Sequence, residues 1–170
     1  MNDLSEYYEV IDAVNDEYST ELYILNENEF LGSPIKEQYD TKYENYINHI
    51  LSISIFEFKN ECIQIATEIS EINISAYVNV RSTLASKTVS FYSNRNSMTL
   101  TYKYSGSTFD SSYKPTATVK KLNNTNYFSM SSYSGSFKNS NKTYSVVAKG
   151  KIYTPSGVVS NKSFTVNFNL

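Results

Sequence analysis

The sequence predicts an α+β fold: an acidic N-terminal helical region followed by an antiparallel, immunoglobulin-like β-sandwich. Three observations predict it. Apolar residues recur at three- and four-residue intervals in the first part of the chain, and at two-residue intervals from Ile72 onward. The charge changes sign at the same boundary. Residues 1–71 hold 16 acids against Lys36, Lys42 and Lys59, a net of -13, while residues 72–170 hold 12 basic residues against Asp110 alone, a net of +11. Composition turns with it, the second part being dense in Ser, Thr, Asn, Tyr and Lys. The expected division is therefore an acidic helical region, 1–71, and a basic β-domain, 72–170.

The first helix is expected from Leu4 to Tyr18, where Leu4, Tyr7, Tyr8, Ile11, Val14 and Tyr18 form one stripe, with Asn2 or Asp3 as its cap. Residues 20–25, TELYIL, fit a short strand. Ser33 followed by Pro34 reads as a helix start, and the stripe Ile35, Tyr39, Tyr43, Tyr46, Ile47, Ile50 carries that helix to about Leu51. Ser54 and Glu57 have the spacing of a capping box, so a third helix runs to about Ser70 with Phe58, Cys62, Ile65, Ala66 and Ile69 inward. SISIFEF reads alternatively as a strand.

In the second region Ile72, Ile74, Ala76, Val78 and Val80 alternate with polar residues, as a strand with one buried face does. The same alternation marks Val89 and Phe91; Met98, Leu100, Tyr102 and Tyr104; Ala117 and Val119; Tyr144, Val146, Ala148 and Ile152; and Phe164, Val166 and Phe168. SNRNS, YSGSTFDSSYKP, KNSNK and TPSGVV between them read as turns. Six or seven short strands in such a length give a sandwich of immunoglobulin-like size, here without a cysteine pair or a core tryptophan.

The helical segment SIFEFKNECIQIATEI, set before a Ser/Thr-rich β-region that closes with SFTVNFNL, resembles small exported proteins of Gram-positive bacteria that have no established activity. What the resemblance implies is secretion or display at the cell surface. The opening MNDLSEYY has neither the basic start nor the apolar core of a signal peptide, so an exported product is expected to have had its targeting segment removed. No apolar run reaches the ~18 residues of a membrane-spanning helix.

Catalytic and cofactor motifs are weak. His49 and Cys62 are the single residues of their kinds, which removes a zinc cluster and leaves one thiol-imidazole pairing to consider. Five glycines form no phosphate-binding loop, so no cofactor is expected. Glu57 with Glu61, and Glu17 with Glu21, stand one helical turn apart and define the enzymatic alternative, a hydrolase using helix carboxylates. A toxin-like or self-assembling protein is the other alternative.

The leading expectation is a non-enzymatic binding module. Alternation places Lys103, Lys120, Lys149 and Lys151 on outward positions, with Tyr153 in the register of the last two. One cationic face of this kind would bind an anionic cell-surface polymer, a glycan or a protein through charge and ring stacking. No motif for specific nucleic-acid recognition accompanies it. Opposite charges on the two regions further suggest that the acidic helices dock on the basic sheet, within one molecule or between copies as a homo-oligomer.

Overall fold

A computed structural model describes residues 3–70, 74–77, 84–123 and 125–170. The chain divides into two compact units, one made of residues 1–71 with 152–161 and the other of residues 72–151 with 162–170. The first unit thus recruits ten residues from far down the chain.

In the first unit, α1 (Ser5–Tyr18) buries Tyr7, Ile11 and Val14 and leaves Tyr8 exposed. Its N-cap is Leu4, without a side-chain cap, and the expected capping residue Asp3 instead forms a local turn just ahead of it by accepting the Ser5 amide at 2.9 Å. The expected short strand is β1 (Leu22–Ile24), fastened to α1 by Asn15, whose amide group both accepts from the Leu22 amide (2.7 Å) and donates to the Leu22 carbonyl (2.9 Å). The last helix, α4 (Ile55–Ser70), packs against α1 and keeps the capping box: Ser54 Oγ accepts the Glu57 amide while Glu57 accepts the Ser54 amide, each at 3.3 Å. Phe58, Cys62, Ile65, Ala66 and Ile69 are all buried, and SISIFEF forms no strand.

The middle of this unit differs from expectation. A short helix, α2 (Glu27–Leu31), precedes Ser33, held by a capping box between Asn26 and Glu29. Ser33 Oγ donates to the Phe30 carbonyl at 2.7 Å, so it closes α2 and does not open a long helix. The stripe expected from Pro34 to Leu51 is cut in two. A 3-10 turn covers Lys36–Tyr39, Asp40 and Thr41 turn left-handed (φ 53° and 59°), and α3 covers Tyr43–Ser52. The break lets Tyr39, Tyr43 and Tyr46 surround the buried ring of Phe30, with centroids 5.2–6.1 Å away. Here tertiary ring packing overrides helical periodicity.

Tyr46, fully buried, is the hub of the unit. Its hydroxyl accepts the Leu25 amide (3.0 Å) and donates to the Gly157 carbonyl (2.7 Å), and burial holds its pKa well above the usual phenol range. Residues 158–160 pair antiparallel with β1, Leu22 facing Ser160 and Ile24 facing Val158. Gly157 has φ +91°, and a Cβ there would fall 2.8 Å from the Tyr46 ring and 3.0 Å from Ile50, so only glycine fits.

The second unit holds two groups of strands. In one, β3 (Leu84–Phe91) pairs antiparallel with β4 (Asn96–Ser105). The far edge of β4 is shared: β5 (Thr108–Phe109) pairs with Tyr104 and Ser105, and β6 (Thr116–Lys121) with residues 96–101. In the other, β9 (Val158–Asn169), of which residues 162–169 belong to this unit, neighbours β8 (Thr143–Tyr153), of which residues 143–151 do, and β8 neighbours β7 (Tyr127–Lys138). The chain is thus α+β with antiparallel sheets. One pair departs from that pattern, β2 (Ile74–Tyr77) running parallel to residues 166–169 of β9. The rest of the strand expected over Ile72–Val80 lies outside the described residues.

Rings join the two groups. Phe91 of β3 stands edge-on to Phe128 of β7 (5.9 Å) and to Phe164 of β9 (5.1 Å), and Phe109 of β5 meets Phe137 of β7 and Tyr144 of β8. Buried Asn96 ties β4 to β7, accepting the Phe128 amide at 2.8 Å and donating to its carbonyl at 2.7 Å. The SNRNS and KNSNK segments fall at the tight four-residue hairpin loops 92–95 and 139–142, in which Tyr92, Ser93 and Asn94, and Asn139, Ser140 and Asn141, are left-handed.

Candidate functional site

Between Phe109 and Thr116 the chain leaves the edge of β4 and loops outward. Asp110 fixes that loop: its Oδ1 accepts both the amide (2.9 Å) and the hydroxyl (2.6 Å) of Ser112, and its own amide donates to the Lys103 carbonyl. These bonds, with Lys103 nearby, hold the Asp110 carboxyl below the usual range. Because no strand fills this stretch, a groove of about 650 Å³ opens between Ser111–Pro115 and strands β7 and β8.

The lining is aromatic and hydroxylic. Tyr113 rises from the loop, Tyr133 and Phe137 come from β7, and Tyr144 comes from β8. Phe137 and Tyr144 meet edge-to-face at 4.9 Å. Gly135 makes room for this, since a methyl group there would collide with the Tyr144 phenol. Burial, and then the neighbouring Tyr133, push the Tyr144 pKa up, so its hydroxyl keeps its proton at neutral pH. Ser111, Ser112 and Ser134 add hydroxyl groups, and Lys114 lies in the wall. Lys103 supplies a second cation to the rim, its Nζ lying 5.3 Å from the centre of the Tyr113 ring.

Of the residues expected to form one cationic face, the structure brings only Lys103 to this groove. Lys120 faces outward on β6 opposite Ser97, and Lys103 lies six residues further along β4, about 20 Å away at a strand's rise. Lys149, exposed, and Lys151, half-buried, stand on β8 among the other group of strands. Tyr153 is only 5 % exposed, so its ring belongs to the core and is not a platform for a ligand. Alternation sorts inward from outward along a strand, but it does not say which sheet a strand joins. The groove residues were hidden for a related reason: YSGSTFDSSYKP reads as a turn, and YFSMSSYSGSFK lacks an apolar alternation. The signal was present as tyrosines recurring within Ser-rich stretches.

The candidate catalytic groups fall elsewhere. Cys62 is fully buried and burial pushes its thiol up to about 12, so at neutral pH it is protonated and shielded. His49 Nε2 is 2.7 Å from the Pro155 carbonyl and donates to it. Glu57 is engaged by Ser54, whose hydroxyl donates to it at 2.7 Å. Among the described residues no three acidic, histidine or cysteine side chains gather as a metal site, and no helix is long and apolar enough to cross a membrane.

No family model and no curated protein matches the sequence. Among solved structures the chain is similar to a two-domain protein of unknown function from Bacteroides thetaiotaomicron, at 16% identity and a TM-score of 0.33. The match covers 79% of this chain and spans 63% of that protein's length.

Proposed function

We propose that this is a non-enzymatic binding protein of the cell surface or the secreted fraction, and that its second unit, an immunoglobulin-like sandwich, binds an anionic surface polymer or glycan in the tyrosine-lined groove. The observation that carries the reading is the meeting of Tyr113, Tyr133 and Tyr144 in one open groove with Lys103 and Lys114 at its wall. Phenol rings offer flat apolar faces to the C–H faces of sugars, while serine and phenol hydroxyls satisfy the sugar hydroxyls. The two ammonium groups add attraction for carboxylate, sulfate or phosphate substituents. No paired acid and base line this groove, which favours binding over hydrolysis of the ligand.

The test is binding of the full chain to a polyanionic wall polymer, a heparin-like glycan, a neutral glycan of equal length and DNA, each at two salt concentrations. The anionic carbohydrates should bind with salt-sensitive affinity. Tyr133→Ala and Tyr113→Ala should each weaken binding about 10-fold, as loss of a stacked ring worth ~1–3 kcal/mol implies. Affinity untouched by both substitutions, or no binding to any carbohydrate, would overturn the reading.

A further inference from the structure

The floor of the groove holds a polar group that the protein itself leaves unused. Tyr144 is only 4 % exposed, yet among the described residues its hydroxyl has no hydrogen-bond partner. The Tyr102 hydroxyl and Ser145 Oγ are also unpartnered, but both are sealed inside the fold. Tyr144 instead lines the groove, and its hydroxyl end lies over Gly135, a second groove residue, where a Cβ would collide with it. The glycine keeps open the space into which the phenol reaches. An O–H withdrawn from water and left unpaired is costly, and a ligand atom that accepts it recovers that cost.

The neighbours of that hydroxyl decide which acceptor fits. The Phe137 ring stands edge-on to Tyr144 at 4.9 Å and Pro115 is buried in the loop wall, so apolar surface adjoins the phenol. A carboxylate or sulfate oxygen at the floor would lose its water without gaining a cation, because Lys103 and Lys114 are exposed at the rim. A bare sugar hydroxyl would answer the phenol and leave the apolar surface uncovered. An acetamido group answers both: its carbonyl accepts the phenol proton, its methyl covers Phe137 and Pro115, and its N–H is left to water or to the exposed Ser134 hydroxyl. We infer that the groove reads an acetamido group, with the Tyr144 hydroxyl donating to its carbonyl oxygen, and that the ligand is an anionic polysaccharide built on N-acetylhexosamine. This narrows the polymer binding proposed above and rests on it: the acetamido arm fills the floor, while charged substituents on neighbouring sugars stay at the rim with the two lysines.

The experiment titrates the full chain with two neutral tetramers of the same linkage, one of N-acetylglucosamine and one of glucose, which differ only in the acetamido group. Two anionic polymers accompany them, alternating N-acetylglucosamine with glucuronate, and polyglucuronate. Wild type should prefer the N-acetylated member of each pair about 10-fold, and for the tetramers equally at low and high salt. Tyr144→Phe should weaken the N-acetylated ligands about 5- to 10-fold, the worth of one hydrogen bond, and the others at most about two-fold. Its melting temperature should not fall, because the hydroxyl bonds nothing in the described protein. Binding of the polymers without preference for the acetamido member, or equal losses within a pair in Tyr144→Phe, overturns this inference and leaves the polymer reading standing. Binding to none of the carbohydrates overturns both. Should the tetramers bind too weakly to titrate, the polymer pair decides, and should the variant fail to fold, the wild-type preference does: its absence rejects the assignment.

Discussion

The tyrosines of the helical hub and those of the β-unit's groove are placed in opposite ways. In the helical unit Tyr46 is buried with its hydroxyl shared between Leu25 and Gly157, and Tyr39 and Tyr43 flank the same Phe30 ring, so phenols close a core. In the β-unit Tyr113 and Tyr133 stand half-exposed across a groove whose floor is Tyr144. The same residue type closes a core where its hydroxyl meets backbone partners, as Tyr46 does, and elsewhere stands half-exposed at a surface with serine and lysine beside it. The comparison also separates completeness from openness: the first unit needs residues 152–161 to be whole, while the second leaves a groove open between residues 111–115 and strands β7 and β8.

The largest effect should come from cutting the chain at the charge boundary. Residues 1–71 alone lose the strand that pairs with β1, the Gly157 carbonyl that receives Tyr46 and the Pro155 carbonyl that receives His49. That fragment should show helical circular dichroism but no cooperative melt, whereas residues 72–170 should melt cooperatively. A sharp transition in the short fragment would show that the distant segment is dispensable.

Next come two substitutions at the hub. Gly157→Ala puts a Cβ against Tyr46 and Ile50 at a positive φ, and should destabilise the first unit by ~3 kcal/mol or more. Tyr46→Phe keeps the ring but strands the Leu25 amide and the Gly157 carbonyl, at about 2 kcal/mol. Thermal melts should rank them in that order, and Tyr133→Ala at the groove should leave the melt nearly unchanged. A fall in melting temperature for Tyr133→Ala equal to that of Tyr46→Phe would erase the contrast between core and groove phenols.

Alkali should sharpen the same contrast by a smaller amount. Burial raises the pKa values of Tyr46 and Cys62 in the first unit and of Tyr102 and Tyr144 in the second, Cys62 to about 12. A raised value means that the folded state holds its proton where the unfolded chain has lost it. These groups leave stability unchanged below their unfolded values, near 9 for the thiol and ~10 for the phenols, and lower it as pH rises past them. Denaturant midpoints should therefore fall from about pH 9 upward, and Cys62→Ala should flatten the first part of that decline. A decline of the same slope in Cys62→Ala would remove the thiol from the account.

How much of this could be read from the chain follows from the same physics. Period located α1 and β1, and period with capping located α4, because Tyr7, Ile11, Val14 and Phe58 are buried at periodic positions and Ser54 with Glu57 forms a local motif. The Pro34–Leu51 stripe misled because Tyr39, Tyr43 and Tyr46 are periodic in sequence yet reach Phe30 only if the helix breaks at Asp40. Strand β7 went unmarked because both its faces are largely exposed, so no hydrophobic alternation was needed to build it. Exposed surfaces are written in residues that the core does not select. That is why the lysines found by alternation are scattered, and why the groove is built from a turn-like loop and a serine-rich edge.

The smallest effect lies at Asp110, the one acid of the basic region, and it can change sign. Its carboxylate accepts Ser112 twice and lies close enough to Lys103 for their charges to attract, so it both shapes the Ser111–Pro115 wall and subtracts from the positive field at the rim. Asp110→Ala removes the turn's acceptor, and with the wall loosened an anionic glycan should bind a few-fold more weakly. Asp110→Asn keeps an acceptor oxygen for Ser112 while deleting the charge beside Lys103, so the same glycan should bind up to a few-fold more tightly at low salt and equally at high salt. A neutral glycan should ignore the Asn substitution and still lose affinity with Ala. If Asn and Ala weaken binding alike, the ligand is not read by charge at this rim, and the part of the comparison that assigns lysine a role beside the groove tyrosines fails.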